Sequence, residues 1–128
     1  MKNEDIVIDE RYLKIIERNN KYVFKVYPRN SKTFCLGTSI EYDNFNDCKA
    51  ASEFFIKFII DTPISNESSP FIEIKKEKLA DKDWRYRYIL MDTDKKPLFY
   101  QRYVFQKANA KKGVTSLYNT IDNAYGGR

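Results

Sequence analysis

Two stretches of the chain, Tyr12–Ile60 and Phe71–Ile121, follow the same plan, and this constrains the fold more than any other feature. Each reads as a short strand, a polar turn, an aromatic strand, a second turn, a third strand and an amphipathic helix. Alternating apolar and polar residues are typical of strands, and apolar residues three or four positions apart are typical of helices. Two units of this kind predict an α+β protein.

The two predicted helices, Cys48–Ile60 and Lys107–Ile121, carry the closest correspondence. Each apolar position of the first helix is separated from its counterpart in the second by the same number of residues. We call this separation, which is that between Cys48 and Ala110, the repeat offset. In both helices small residues come first and large ones later, which favours a close approach of the helix start to a sheet. The corresponding positions are Cys48, Ala51, Ser52, Phe55 and Ile59 in the first helix and Ala110, Gly113, Val114, Leu117 and Ile121 in the second.

The first unit begins after a short N-terminal arm, Met1–Glu10, in which Ile6–Ile8 could add an edge strand. Tyr12–Glu17 fits a short strand or a helical turn. The following Asn19-Asn20 pair favours the strand, because asparagine adopts the left-handed conformation that tight hairpins need. Tyr22–Tyr27 then alternates as a strand.

A third strand is predicted at Phe34–Ile40, after a turn that contains Pro28. The helix that follows needs a residue whose side chain accepts a hydrogen bond from its first free amides. Asn46 or Asp47 is expected to cap it.

The second unit repeats this order with a longer first turn. Phe71–Lys75 is the opening strand, and the charged segment Lys76–Lys82 is the turn. Trp84–Ile89 alternates aromatic residues with Arg85, Arg87 and Ile89. Asp92–Lys96 makes the next turn and Pro97–Val104 the third strand.

The organisation that follows is a first β-β-β-α unit at 1–61, a linker at 62–70 and a second unit at 71–128, all within one structural domain. The segment Asp61–Pro70 contains two prolines and several serines, which is typical of a linker.

Composition predicts a folded, soluble protein of the cytoplasm with no membrane association. Of its 128 residues 42% are hydrophobic and 16% aromatic, whereas disordered chains are poor in both. No apolar run approaches the roughly 20 residues that cross a bilayer. The first residues are acidic, whereas a signal peptide begins with basic residues.

The net charge of +5 is unevenly distributed. Residues 1–64 hold ten basic and ten acidic side chains, whereas residues 65–128 hold thirteen basic and eight acidic ones. The second unit therefore carries the whole surplus, which suggests that this half meets the partner.

Residue types limit the chemistry that the chain can perform. The absence of histidine excludes a Ser-His-Asp triad, a Cys-His pair and a histidine-containing zinc site. Cys35 and Cys48 could form a disulfide, but buried thiols are favoured, since nothing suggests export. Cys48 lies at a helix start, where the helix dipole could lower a thiol pKa. The carboxylate pairs Asp81/Asp83 and Asp92/Asp94 fall in predicted turns. We expect no enzyme activity, no metal and no cofactor.

Arginine residues interleaved with aromatic ones give the second unit its sharpest local signal. Such a strand could stack nucleic-acid bases and neutralise phosphates, with further basic residues extending the track. It is also what a sheet with one buried face produces, with aromatics inward and cations outward, and this interpretation is favoured. A positively charged helix start could equally bind an anion or be a solvated lysine face. The candidate contact residues are Trp84, Arg85, Arg87, Lys95, Lys96, Arg102, Lys107, Lys111 and Lys112.

Ten tyrosines and nine phenylalanines exceed what one small core needs, so some are expected on an outer sheet face. That face could meet a protein partner or a second copy of the chain. Alternatively, the tyrosines cover a solvated sheet with their hydroxyls outward.

Several short segments are similar to a known family. They correspond to an opening Phe-x-Ile strand, an aromatic-arginine pair leading into leucine, a turn into an apolar strand, and a helix start. They are Phe71–Ile74, Tyr86–Leu90, Asp94–Leu98 and Tyr103–Gly113 in the second unit, and Leu36–Ser39, Tyr42 and Ala50–Ala51 in the first. The chain thereby resembles the YegP-like tandem-repeat family, as a divergent member. This family consists of small bacterial and archaeal proteins of unknown function.

The resemblance implies two tandem β-β-β-α repeats with pseudo-two-fold symmetry, forming one antiparallel sheet with two helices packed on one face. It implies no activity. The expected function is a non-enzymatic binding module that contacts a protein or forms a homodimer, and the alternative is weak, sequence-tolerant nucleic-acid binding through the second repeat.

Overall fold

Seven strands and two helices make up the protein in the computed structural model, which describes residues 4–28, 31, 35–62, 70–79 and 84–126. The strands are β1 Glu4–Asp9, β2 Leu13–Arg18, β3 Lys21–Val26, β4 Gly37–Ser39, β5 Ile72–Lys78, β6 Trp84–Met91 and β7 Pro97–Tyr100. The helices are α1 Phe45–Asp61 and α2 Lys107–Tyr125. None of the helices in these ranges is long and apolar enough to cross a membrane.

The strands form one antiparallel sheet in the order β1-β2-β3-β4-β7-β6-β5. The predicted α+β class is confirmed. β1 and β5 are the two edges, and the short strands β4 and β7 meet in the middle. The edge strand expected around Ile6–Ile8 is confirmed as β1.

The turn between β2 and β3 follows from its two asparagines. Asn19 and Asn20 have φ angles of 54° and 64°, the left-handed region that asparagine tolerates better than most residues. The turn fixes a register in which Ile15 faces Phe24. The predicted strand assignment of this segment is confirmed.

Both helices pack against the sheet face that carries Phe24, Tyr88 and Phe99. They bury the apolar stripe expected from their spacing, including Phe55 and Leu117. The core therefore lies between this face and the helices, and the other face of the sheet is left without a helix in the described residues.

The cap predicted for α1 is wrong. The N-cap is Asn44, whose Oδ1 accepts a 2.8 Å hydrogen bond from the amide of Asp47. Phe45 starts the helix, and its ring packs edge-on against Tyr22, with the ring centroids 6.2 Å apart. Asp47 therefore belongs to the first turn.

The charged segment after Lys75 is not all turn. β5 continues to Lys78, since Lys76 pairs with Tyr86 and Lys78 with Trp84. β4 is shorter than the predicted strand Phe34–Ile40, and β7 is shorter than Pro97–Val104. Residues 32–34, the central linker residues 63–69 and the Asp81/Asp83 pair lie outside the described residues.

Candidate interaction surface

The alternation of β6 sends its side chains to opposite faces of the sheet. Tyr88 lies on the helix side, where it is fully buried and donates a 2.9 Å hydrogen bond to the carbonyl of Leu36. Trp84, at the start of the same strand, is 49% exposed. Arg85 and Arg87 lie on the outer face. The strand thus runs from a solvent-exposed end into the core.

Arg87 is held in place by three neighbours on the outer face. Its guanidinium carbon lies 4.5 Å from the ring centroid of Tyr100 and 4.6 Å from that of Tyr103. Its Nε donates a 3.0 Å hydrogen bond to Glu77 Oε2, and the hydroxyl of Tyr103 donates a 2.8 Å bond to Glu77 Oε1. Arg87 therefore has a structural role in the sheet.

The pKa of Glu77 reflects these contacts. Burial raises the pKa, but the hydrogen bonds from Tyr103 and Arg87 and the charge of Arg87 outweigh burial. The pKa of Glu77 therefore lies below its ordinary value of 4.5. A carboxylate with a lowered folded-state pKa contributes stability above its unfolded pKa and loses it as the pH falls.

Replacing Glu77 by glutamine should lower the free energy of unfolding by about 1 kcal/mol at pH 7, because the hydrogen bonds lose their charged acceptor. The difference from the wild type should shrink below pH 4.5, as protonation removes the same charge from the wild type. Urea unfolding at pH 7 and pH 3 measures this. Glu73→Gln, on an exposed glutamate of the same strand, is the control, and an equal loss at both pH values would contradict the prediction.

Arg85 stacks on an aromatic ring of the segment that follows β7 and pairs with the start of β6. Tyr86 and Val104 pair through two 2.8 Å backbone hydrogen bonds, which brings the next residue, Phe105, opposite Arg85. The Arg85 guanidinium carbon is 4.0 Å from the Phe105 ring centroid. Phe105 nevertheless remains 71% exposed.

Two lysines of β5 lie over the ring of Trp84. The ammonium nitrogens of Lys76 and Lys78 are 4.9 Å and 5.7 Å from its centroid. Cation–π contacts of this kind contribute about 0.5–1 kcal/mol at exposed sites. We call Lys76, Lys78, Trp84, Arg85 and Phe105 the Trp84–Phe105 surface. By strand alternation Trp84 and the two lysines lie on the same side of the sheet as Tyr88, whereas Arg85 and Phe105 lie on the other side, at the same end of β6.

Two of the candidate contact residues lie far from this surface. Lys95 and Lys96 are exposed in the β6–β7 turn, at the other end of an eight-residue strand that is about 23 Å long. Asp92 organises the turn, since its Oδ1 accepts hydrogen bonds from the amides of Asp94 and Lys96. The turn role predicted for Asp92 is confirmed.

The four remaining candidates lie around the start of α2. Lys107, Lys111 and Lys112 are exposed on its first turns, and Arg102 is exposed in the segment that joins β7 to the helix. The nine residues therefore occupy three places: the end of β6, the β6–β7 turn and the start of α2.

Sequence reasoning missed Phe105, Lys76 and Lys78. For the two lysines the signal was the alternation of β5. It continues past Lys75, and in the structure Lys76 pairs with Tyr86. Phe105 had no comparable signal, because its position opposite Arg85 depends on the register of a segment beyond β7.

The thiol chemistry considered for Cys48 is not supported. Its side chain is fully buried, and burial raises its pKa to about 11. The lower thiol pKa that a helix start could produce is therefore not found at Cys48, because burial disfavours the thiolate. Cys35 and Cys48 are both free thiols, but only Cys48 is buried as predicted, since Cys35 is partly exposed. No group of three potential metal ligands occurs among the residues that the structure describes.

Comparison of the chain with protein-family models, with curated proteins and with solved structures found no match.

Proposed function

We propose that the chain is a non-enzymatic binding module that contacts a protein partner through the Trp84–Phe105 surface. The observation that carries this proposal is the exposure of Trp84 and Phe105, at 49% and 71%, at one end of the same sheet. Each ring lies beside cations that hold it in place.

Tryptophan and arginine are among the residues that contribute most binding energy at protein interfaces. The surface offers both, together with a second aromatic ring, and its ionisable side chains are Lys76, Lys78 and Arg85. Charge complementarity therefore favours a partner segment that combines acidic and apolar side chains. Two free thiols are compatible with the reducing cytoplasm in which we expect the protein to act.

Nucleic-acid binding is the alternative, because exposed rings beside cations can also stack bases. Two observations make it the weaker proposal. Arg87 is committed to Glu77 and is half-buried, so it is poorly available to phosphates. Lys95 and Lys96 lie at the far end of β6 and do not extend the surface.

We further propose that the chain consists of two tandem β-β-β-α repeats, as the resemblance to the YegP-like family implies. The strand order supports this, since β4-β3-β2 and β7-β6-β5 run outward from the middle of the sheet in matching order. The N-caps of the helices, Asn44 and Gln106, are separated by the repeat offset. The isolated pairs Tyr22–Tyr42 and Tyr86–Val104 lie at similar places, since Val104 follows Tyr42 by the repeat offset and Tyr86 follows Tyr22 by two residues more.

A buried side-chain contact supports the same repeat. Ser39 Oγ accepts a 2.9 Å hydrogen bond from the amide of Phe24. Gln101, which follows Ser39 by the repeat offset, accepts a 3.0 Å bond from the amide of Tyr88 through its Oε1. In this interpretation the first repeat is mainly scaffold and the second meets the partner.

The proposal is tested by titrating the protein with a short peptide of aspartate and leucine while the fluorescence of Trp84, the single tryptophan, is recorded. We expect saturable binding and a fluorescence change. Phe105→Ala should weaken binding by roughly tenfold or more, as for a central aromatic contact. Phe54→Ala is the matched control, because Phe54 is also an exposed phenylalanine but lies on α1.

Two further titrations distinguish the alternatives. A peptide with serine in place of leucine should bind weakly if the rings contact apolar groups. A thymidine oligonucleotide that binds, with affinity falling steeply as salt rises, would favour the nucleic-acid alternative. Equal effects of Phe105→Ala and Phe54→Ala, or no binding of the peptide, would overturn the proposal.

A further inference from the structure

A cavity of about 300 Å³ lies between α2 and the segment that joins β7 to it. Apolar side chains, including Leu36 and Val104, form part of its lining, and Arg102 and Lys112 bring two cations. No acidic side chain is among the described residues that line it. Its volume is at the lower end of the range of small-molecule sites, so a ligand that fills it is small.

One wall of the cavity is a buried amide held in a fixed orientation. Gln101 is only 7% exposed, and its Oε1 accepts the hydrogen bond from the amide of Tyr88. Its Nε2 therefore faces Gly113 of α2. A Cβ added to Gly113 would lie 2.2 Å from that nitrogen, so the glycine allows the side chain and the helix to approach.

Glycine inside a helix costs about 1 kcal/mol relative to alanine. At Gly113 the missing side chain lets the Gln101 amide donor approach α2 in the lining of the cavity. The lining thus offers a polar group of fixed orientation as well as charge.

The start of α2 carries positive charge without compensation from its own first turn. Its N-cap, Gln106, makes no side-chain capping hydrogen bond, and the first turn contains no acidic residue. In α1 the cap is made by Asn44, and Asp47 lies in the first turn. Lys107 and Lys111 add cations at the positive end of the α2 dipole, an arrangement that an anion would stabilise.

The residues that form the cavity differ from those at the matching positions of the first unit. At the positions that precede them by the repeat offset, the cations are replaced by apolar side chains and a small residue is replaced by an exposed phenylalanine. The pairs are Ile40 and Arg102, Ala50 and Lys112, Ala51 and Gly113, and Phe54 and Ser116. Open space and positive charge therefore occur together in the second unit.

We propose that this cavity binds a small organic anion, consisting of a carboxylate or phosphate group on a compact apolar body. Arg102 and Lys112 attract the charged group, and the amide of Gln101 donates a hydrogen bond. Leu36 and Val104 contact the apolar body. This site shares no residue with the Trp84–Phe105 surface.

The test uses the full chain labelled with ¹⁵N, with phenyl phosphate and benzoate as probes. We expect a saturable shift of the Gln101 side-chain amide and the Gly113 backbone amide with at least one of them. Benzyl alcohol, which lacks the charge, and inorganic phosphate, which lacks the apolar body, should each bind at least tenfold more weakly. Arg102→Gln and Lys112→Gln should each weaken binding roughly tenfold, since each removes a charged partner.

Ser116→Phe should abolish binding, because it fills the cavity with the side chain found at Phe54 in the first unit. Ser116 is exposed, so the helix tolerates the change. Asn119→Phe, on an exposed residue of α2 that does not line the cavity, should leave binding unchanged. Alkylation provides a second readout, because Cys35 lines the cavity while Cys48 is fully buried. A bound probe should slow the reaction of Cys35 with iodoacetamide.

Three results would overturn the proposal: no saturable shift with either anion, equal binding of benzyl alcohol, or binding that Ser116→Phe leaves intact. The last result would mean that the probe binds the exposed lysines of α2 and not the cavity. Slower alkylation of Cys35 together with loss of binding in Ser116→Phe would support it.

Discussion

Replacing Phe99 by alanine should lower the free energy of unfolding by about 3–5 kcal/mol, the range for removing a buried aromatic side chain. Phe99 is fully buried in β7 and lies at the centre of the aromatic core. Its ring centroid is 4.6 Å from that of Phe55, 5.9 Å from that of Phe24 and 6.5 Å from that of Tyr88. The change would leave a cavity among α1, β3 and β6.

The loss should be large because Phe99 joins parts of the chain that are far apart in sequence. β7 is in the middle of the sheet and pairs with β4 on one side and β6 on the other. Few backbone hydrogen bonds connect β4 to β7, since both strands are short. Side-chain packing around Phe99 therefore carries much of the connection between the two ends of the sheet.

Urea unfolding followed by circular dichroism measures the effect. Phe105→Ala removes the same side chain from an exposed position and should change stability by less than about 1 kcal/mol. Similar losses for the two variants would contradict the assignment of Phe99 to the core.

Local signals predicted the regular elements well. The left-handed conformations of Asn19 and Asn20 follow from a side chain that tolerates positive φ, and the helices follow from their apolar spacing. The cap of α1 could not be read in the same way, because several polar residues precede the helix. Asn44 is the cap because the helix begins at Phe45, and Phe45 packs against Tyr22 of β3 in a contact that depends on tertiary structure.

The candidate surface was only partly predictable for the same reason. Alternation along β6 correctly assigned Arg85 and Arg87 to one face. It could not tell that Arg87 is tied to Glu77 or that Arg85 stacks on Phe105, because these partners come from neighbouring strands. The length of β5 was misjudged because pairing with β6 stabilises a segment whose charge alone indicates a turn.

A second large effect is expected at Gly37, where β4 lies against β7. Replacing Gly37 by alanine should lower the free energy of unfolding by about 1–3 kcal/mol, the usual cost of adding a methyl group to a packed core. An added Cβ would lie 2.3 Å from Cε2 of Phe99 and 2.7 Å from the carbonyl oxygen of Tyr100. The cost is steric, and the backbone oxygen cannot move without disturbing the pairing of Thr38 with Tyr100.

A double-mutant cycle with Phe99→Ala separates the two contacts. Gly37→Ala should cost less in the Phe99→Ala background, because the ring is gone and only the clash with the Tyr100 carbonyl remains. Residues in direct contact commonly show coupling of about 0.5–3 kcal/mol, and urea unfolding of the four proteins measures it. Additive losses would mean that the sheet shifts to accept the methyl group. The close packing of β4 against β7 would then not require glycine at position 37.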